Sequence, residues 1–185
     1  MPFFKSMPEN AGPPTVFNTY PDIYGAFSQM SQALMNGPSP LSPGERELIF
    51  AYAAGVSGCK FVYTAHCAVA VAWGAEEGLL DKLLDDLDSA PVEEKMKVLF
   101  RFARKLTLTP GEMTQADADA VFDAGWEEQA LHDAIAVTAR VAFMQRLVEG
   151  HGFIPFSPEM AKSHAEKRVE LGYVNLYPKL AAKLK

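Results

Sequence analysis

Apolar positions along this chain recur at three- and four-residue steps, and no segment sustains a two-residue alternation, so the pattern predicts helices throughout. From Pro21 the residues Ile23, Phe27, Met30 and Leu34 form one stripe of an amphipathic helix that Gly37 and Pro38 end. Ser42-Pro43-Gly44-Glu45 predicts a capping box, with Ser42 as N-cap and Glu45 reaching back. That helix fades at Gly55 to Gly58, and another starts near Cys59 and stops at Gly74. A short helix over 76–87 follows, then one from Pro91 with Met96, Leu99, Phe100, Ala103 and Leu106 on one side. Thr109-Pro110-Gly111 reads as a loop, and Thr114 with Asp117 as a helix start. The stretch 126–149 has no breaker and predicts the longest helix, and a last helix opens after Ser157-Pro158. Residues 1–20 carry four prolines without a steady period and read as an irregular arm. The expected fold is all-α, with about seven to nine helices.

Composition narrows the function classes. The 185 residues are 49% hydrophobic and 22% charged, enough to build a core. A net charge of −6 without a basic cluster argues against a nucleic-acid or anionic-membrane partner. No apolar run approaches the ~20 residues that span a bilayer, and the first residues lack the apolar core of a signal peptide. Two cysteines do not make a disulfide scaffold. The simplest expectation is a soluble cytoplasmic protein with reduced thiols and no cofactor.

The chemistry-bearing stretch is ELIFAYAAGVSGCKFVYTAHC, from Glu47 to Cys67. Cys59 follows Gly58 where a helix should begin, and the free N–H groups and dipole there favour a thiolate. His66 lies seven residues on, roughly 10 Å along the axis, which puts a direct bond to Cys59 out of reach. The turn over 55–58 can fold Glu47 back beside Cys59, so Glu47, Cys59 and His66 are expected around one cavity as a proton relay. Cys67 stands about 12 Å from Cys59 in an intact helix, beyond the ~7 Å limit of a disulfide. The same residues also admit plainer readings: Cys59 and Cys67 as small core residues, His66 as a hydrogen-bonded core histidine, Glu47 as a solvated or capping charge. Trp73, Trp126 and Met144 read as packing, His132 and His164 as surface. No further ligands stand at metal-binding spacing.

At these residues the chain resembles the AhpD-like alkylhydroperoxidase and carboxymuconolactone decarboxylase superfamily, whose stretch reads Glu, apolar helix, small-residue turn, then Cys-x-x-Cys-x-x-x-His. Glu47 stands twelve residues before Cys59, and His66 seven after it, as in the family. AWGAEEGLLDKLL, the segment from Lys97 to Ala139 and FMQRLVEGHG continue the likeness to its peroxidase-related branch. The resemblance implies an AhpD-like orthogonal helical bundle over 21–155, with residues 156–185 as a C-terminal helical extension. It departs at one place: the family's second cysteine falls on Val62, and Ser57-Gly58 replaces the common Asn-Gly.

What the resemblance implies first is a thiol-dependent oxidoreductase reducing a hydroperoxide, with Cys59 as surviving thiol, His66 and Glu47 assisting, and an external thiol or second subunit resolving it. A second implication is acid–base work of the decarboxylase kind, which needs no cysteine pair; His66 and Glu47 would move protons and Arg140 or Arg146 would bind a carboxylate. The third is a non-catalytic binding oligomer of the same fold. A homo-oligomer (dimer, trimer or hexamer) is implied in each case.

Overall fold

The computed structural model describes residues 1–177. Nine α-helices run in chain order: α1 Pro13–Thr19, α2 Pro21–Asn36, α3 Pro43–Val56, α4 Lys60–Ala72, α5 Leu79–Asp85, α6 Glu94–Leu108, α7 Gln115–Asp123, α8 Glu128–His151 and α9 Pro158–Asn175. A 3₁₀ turn at Pro110–Glu112 precedes α7. No strand is present among the described residues.

The architecture follows from α3. From Leu48 on, this helix is apolar on every side, and Ile49 through Ala54 are fully buried. A helix without a polar face must sit inside, and α4, α5, α6 and α8 pack around it. The Ser42/Glu45 capping box starts it: Ser42 Oγ accepts the Glu45 N–H at 3.2 Å, and Glu45 accepts the Ser42 N–H at 2.7 Å. The chain then reverses at Gly58, whose φ of 75° suits glycine alone. There the N–H groups of Ser57, Gly58 and Cys59 close back onto the carbonyls of Ala53, Gly55 and Ala54. α3 and α4 therefore form a helical hairpin. On it Glu47, ten residues before Ser57, and His66, nine after it, arrive at the same height.

Two elements differ from the sequence reading. The arm is not irregular throughout: Pro13 and Pro14 occupy the first turn of α1, where the missing N–H groups cost nothing. On α2 the expected stripe is only half right, since Ile23 and Met30 are 61% and 47% exposed. The face turned inward carries Tyr24, Ser28, Ser31 and Met35, because that face meets a buried polar cluster rather than a purely apolar core. The extension expected over 156–185 contains α9 against α4 and α2; its residues 178–185 lie outside the described residues.

Candidate functional site

On the α3–α4 hairpin His66 Nδ1 meets Glu47 Oε2 at 2.6 Å. Glu47 is 1% exposed and His66 6%. A carboxylate at Nδ1 fixes the tautomer with its proton there and leaves Nε2 with its lone pair. Phe50 stacks on the imidazole with ring centres 3.9 Å apart and limits its rotation. The other carboxylate oxygen, Oε1, accepts the Tyr173 hydroxyl at 2.6 Å. Tyr173 comes from α9, 126 residues away, and reaches inward because α9 breaks at Gly172. That glycine has φ 69°, and a Cβ there would lie 2.3 Å from the Gln32 side chain, which accepts the Tyr173 N–H.

Two guanidiniums surround this chain of hydrogen bonds. Arg140 on α8 and Arg168 on α9 lie over the Tyr173 ring at 4.5 and 4.3 Å, and Arg140 also lies 4.7 Å from the Phe50 ring. Arg140 Nε donates to Ser31 Oγ at 2.8 Å, and Arg168 to the Tyr177 hydroxyl. Burial alone would raise the Glu47 carboxyl, but His66, Tyr173 and Arg168 outweigh it and hold Glu47 below its ordinary value, hence ionised. Burial first, then Arg168 and Arg140, push His66 down, so its imidazole is neutral at pH 7 despite the opposing pull of Glu47. Tyr173 is raised by burial and by Glu47, and stays a neutral donor.

A cavity of about 40 Å³ opens on this cluster. His66 and Val62 line it from α4, Arg140 and Met144 from α8, and His164 and Arg168 from α9. Ser28 of α2, Phe17 of α1 and Phe61 close other sides. Glu47 stands behind His66, outside the lining.

Cys59 is also absent from the lining. It is the N-cap of α4, 1% exposed, and its thiol is pushed up to about 12, chiefly by burial, with Glu149 adding to it. The backbone groups of Val62 and Phe61 do favour the thiolate, as a helix start should, but burial exceeds them. Thus the structure joins Glu47 to His66 and leaves Cys59 apart from the cavity, in place of the three-residue relay expected. Cys67 is a second free thiol, half-buried in an outer groove between α4, α5 and α9 beside Tyr63 and Asp81. Arg146 is exposed and turned back to the Ala142 carbonyl, so of the two arginines considered from sequence only Arg140 is at the cavity. No group of three or more His, Cys, Asp or Glu among the described residues is placed to hold a metal ion.

Similarity to solved structures fits this hairpin-centred arrangement. A protein from Ralstonia eutropha, described as an alkylhydroperoxidase AhpD core and an uncharacterized peroxidase-related protein, matches 80% of this chain and 78% of its own, with TM-score 0.72 and 23% identity. An uncharacterized peroxidase-related protein from a Silicibacter species matches 86% of this chain and 97% of its own, with TM-score 0.69 and 22% identity.

The chain has the AhpD-like helical fold.

No family model matches the chain, and no curated protein does. At such identity the likeness carries the fold, and chemistry has to be read from side chains. In this AhpD-like bundle, four cavity residues escaped the sequence reading. Tyr173 had one signal, the Gly172 before it in an otherwise unbroken helix. His164 sits among charges in sequence and reads as surface, yet it lines the cavity, and burial lowers it to about 3. Arg168 and Ser28 carried no signal at all, since each becomes internal only through packing between distant helices.

Proposed function

We propose that this chain is a general acid–base enzyme in which His66 Nε2 moves a proton to and from a small substrate held in the cavity. The observation that carries this reading is the buried chain Tyr173–Glu47–His66, at 2.6 Å in each link, ending on a cavity whose next α4 residue, Val62, is apolar. His66 takes a proton from a substrate C–H or O–H, whose electron pair stays on the substrate. The imidazolium so formed is stabilised by the Glu47 carboxylate across the Nδ1–H bond, and the proton then returns to another atom of the substrate or to the product. Glu47 and Tyr173 are positioning residues: they set the tautomer and the ring plane without touching the substrate. Isomerisation and decarboxylation both use such a step, the latter in line with the decarboxylase side of the resemblance.

The peroxidase-related names of both structural neighbours support a second reading, thiol-dependent hydroperoxide reduction through Cys59 with an external thiol as reductant. Against it stand the burial and raised proton affinity of Cys59 and the valine at position 62. The test is a panel measured on one preparation: proton exchange from solvent deuterium into small carbonyl compounds, and peroxide consumption with a dithiol. The proton-transfer reading expects exchange that His66→Asn abolishes and Cys59→Ser leaves intact. Peroxide consumption lost in Cys59→Ser, without any exchange activity, would replace it by the second reading, and neither activity by a binding role.

A further inference from the structure

Five buried side-chain polar atoms lack a hydrogen-bond partner among the described residues, and four of them belong to residues lining the cavity at His66: Ser28 Oγ, Arg140 Nη1, His164 Nδ1 and Arg168 Nε. The fifth, Arg46 Nε, lies outside it. Natural structures pair the large majority of such atoms, so their concentration at one place is a property of the site. Ser28 shows it most simply. Three residues on, Ser31 Oγ donates back to the Phe27 carbonyl at 2.7 Å, a common outlet for a helical serine, whereas the Ser28 hydroxyl is unpaired at 2% exposure. The hydroxyl and the two guanidinium N–H groups are donors, and His164 Nδ1 joins them in one tautomer. Together they call for an acceptor with several lone pairs.

Size and charge say what that acceptor is. The cavity measures about 40 Å³, and a water needs about 10–15 Å³ of such space, so it admits a few particles of water size. Arg140 and Arg168 are 5% and 8% exposed. Glu47, behind His66, is the carboxylate that acts on both. His66, His164 and Tyr173 are neutral, so two positive charges face one negative. Water would satisfy the hydrogen bonds but leave the extra charge, and a buried charge without a counter-charge is costly. The rest of the wall is apolar (Phe17, Phe61, Val62, Met144 and Phe156) and keeps bulk water from screening it.

We propose that the cavity is a halide site, in which a single chloride ion accepts from Arg140 Nη1, Arg168 Nε and the Ser28 hydroxyl, with His164 Nδ1–H at its edge. A monatomic anion accepts from several directions at once, donates nothing, is only slightly larger than a water molecule and supplies the missing charge. Guanidinium is itself weakly hydrated, and an ion entering this pocket must give up its own water, which favours chloride and bromide over fluoride. The ion sits in the same small space that His66 faces, so it competes with whatever reaches Nε2. The site itself does not depend on the proton-transfer reading.

The test is thermal unfolding of the full chain in sodium fluoride, chloride and bromide at one ionic strength and neutral pH, with anomalous diffraction from bromide-soaked crystals. Chloride and bromide are expected to raise Tm saturably above fluoride. The general salt effect on folding runs the other way, since it favours strongly hydrated anions excluded from the surface. The bromide peak is expected among Ser28, Arg140 and Arg168. Arg168→Gln leaves one guanidinium against Glu47 and, checked for native helicity, should weaken chloride at least tenfold. Ser28→Ala, a change small enough to keep the fold, should weaken it several-fold, and exposed Arg146→Gln should not. Chloride binding without any proton exchange in the wild type would support the halide site and remove only the proton-transfer reading. Equal Tm in chloride and fluoride, a bromide peak away from these residues, or wild-type chloride binding in Ser28→Ala and Arg168→Gln would each overturn the proposal and leave water as the partner of these atoms.

Discussion

Cys59 and His66 stand seven residues apart at the start and middle of the same helix, and both are buried, at 1% and 6% exposure. Their surroundings act in opposite ways. Around Cys59, burial and Glu149 favour the protonated thiol, and the residue does not line the cavity at His66. Around His66, burial favours the neutral imidazole, which is the form that accepts a proton, and Glu47 orients it toward a cavity. Desolvation therefore disfavours the charged thiolate, the reactive form of a cysteine, and keeps the imidazole neutral while lowering its proton affinity to about 4. Burial by itself is not a mark of reactivity or of inertness; which protonation state does the chemistry decides.

The largest expected effect comes from cutting the His66 side of this comparison at its root. Glu47→Ala leaves His66 and both arginines without their carboxylate, and should cost about 3–5 kcal/mol in urea unfolding; a cost under about 1 kcal/mol would show that the cluster is not held by this charge. Tyr173→Phe removes one hydrogen bond to a charged acceptor while keeping the ring between the guanidiniums, for about 1.5–3 kcal/mol. In a proton-exchange assay the same variant should lower kcat more than KM, since Tyr173 acts through Glu47.

Acid should act on the same region. His66 and His164 fold with proton affinities lowered to about 4 and about 3, from an unperturbed 6.5. Between those limits the unfolded chain binds more protons than the folded one, so stability is present above pH 6.5 and is lost as pH falls below it. Glu47, also lowered, works in the same direction. The slope for each histidine is about 1.4 kcal/mol per pH unit. Unfolding curves from pH 7 to pH 5 check this, and His66→Asn should flatten the slope; Arg140, Arg168 and Tyr173, the other ionisable groups facing His66, do not titrate in that window.

The Cys59 side sharpens the contrast with smaller energies. Val62→Cys puts a thiol on the cavity wall, one turn before His66 and three residues after Cys59. It should change stability by less than about 1.5 kcal/mol and, because the Cys59 thiol is buried and held protonated, give no thiol-dependent peroxide turnover above wild type. A gain that Cys59→Ser abolishes again would favour the peroxidase reading over proton transfer. The smallest effect is a rate order: in native protein near pH 8, half-buried Cys67 should be alkylated before Cys59, as peptide mass spectrometry can read.

Much of the fold was legible in order and spacing. Helix-period apolar steps, the Ser42/Glu45 cap and the glycine at 58 mark elements whose causes are local, and those elements stand within a few residues of where the pattern puts them. The hairpin pairing of Glu47 with His66 was nearly legible too, since the turn lies midway between them. Misleading were the signals that depend on burial. A helix start promises a thiolate at Cys59 only if water or a cation is near, and sequence does not state what packs over it. Likewise the α2 stripe of Ile23 and Met30 satisfies helical periodicity, yet the face carrying Ser28 and Ser31 is the one turned in.

By itself, then, the sequence determined the helices, the α3–α4 hairpin and the residue types available for chemistry, because caps, turns and periodicity act over a few residues. Only the tertiary structure decided which of those residues meet. Tyr173 reaches Glu47 across 126 positions, and Arg140 reaches Ser31 across 109. Desolvation and charge pairing act through space, over a few ångströms, between helices whose separation along the chain leaves no local trace.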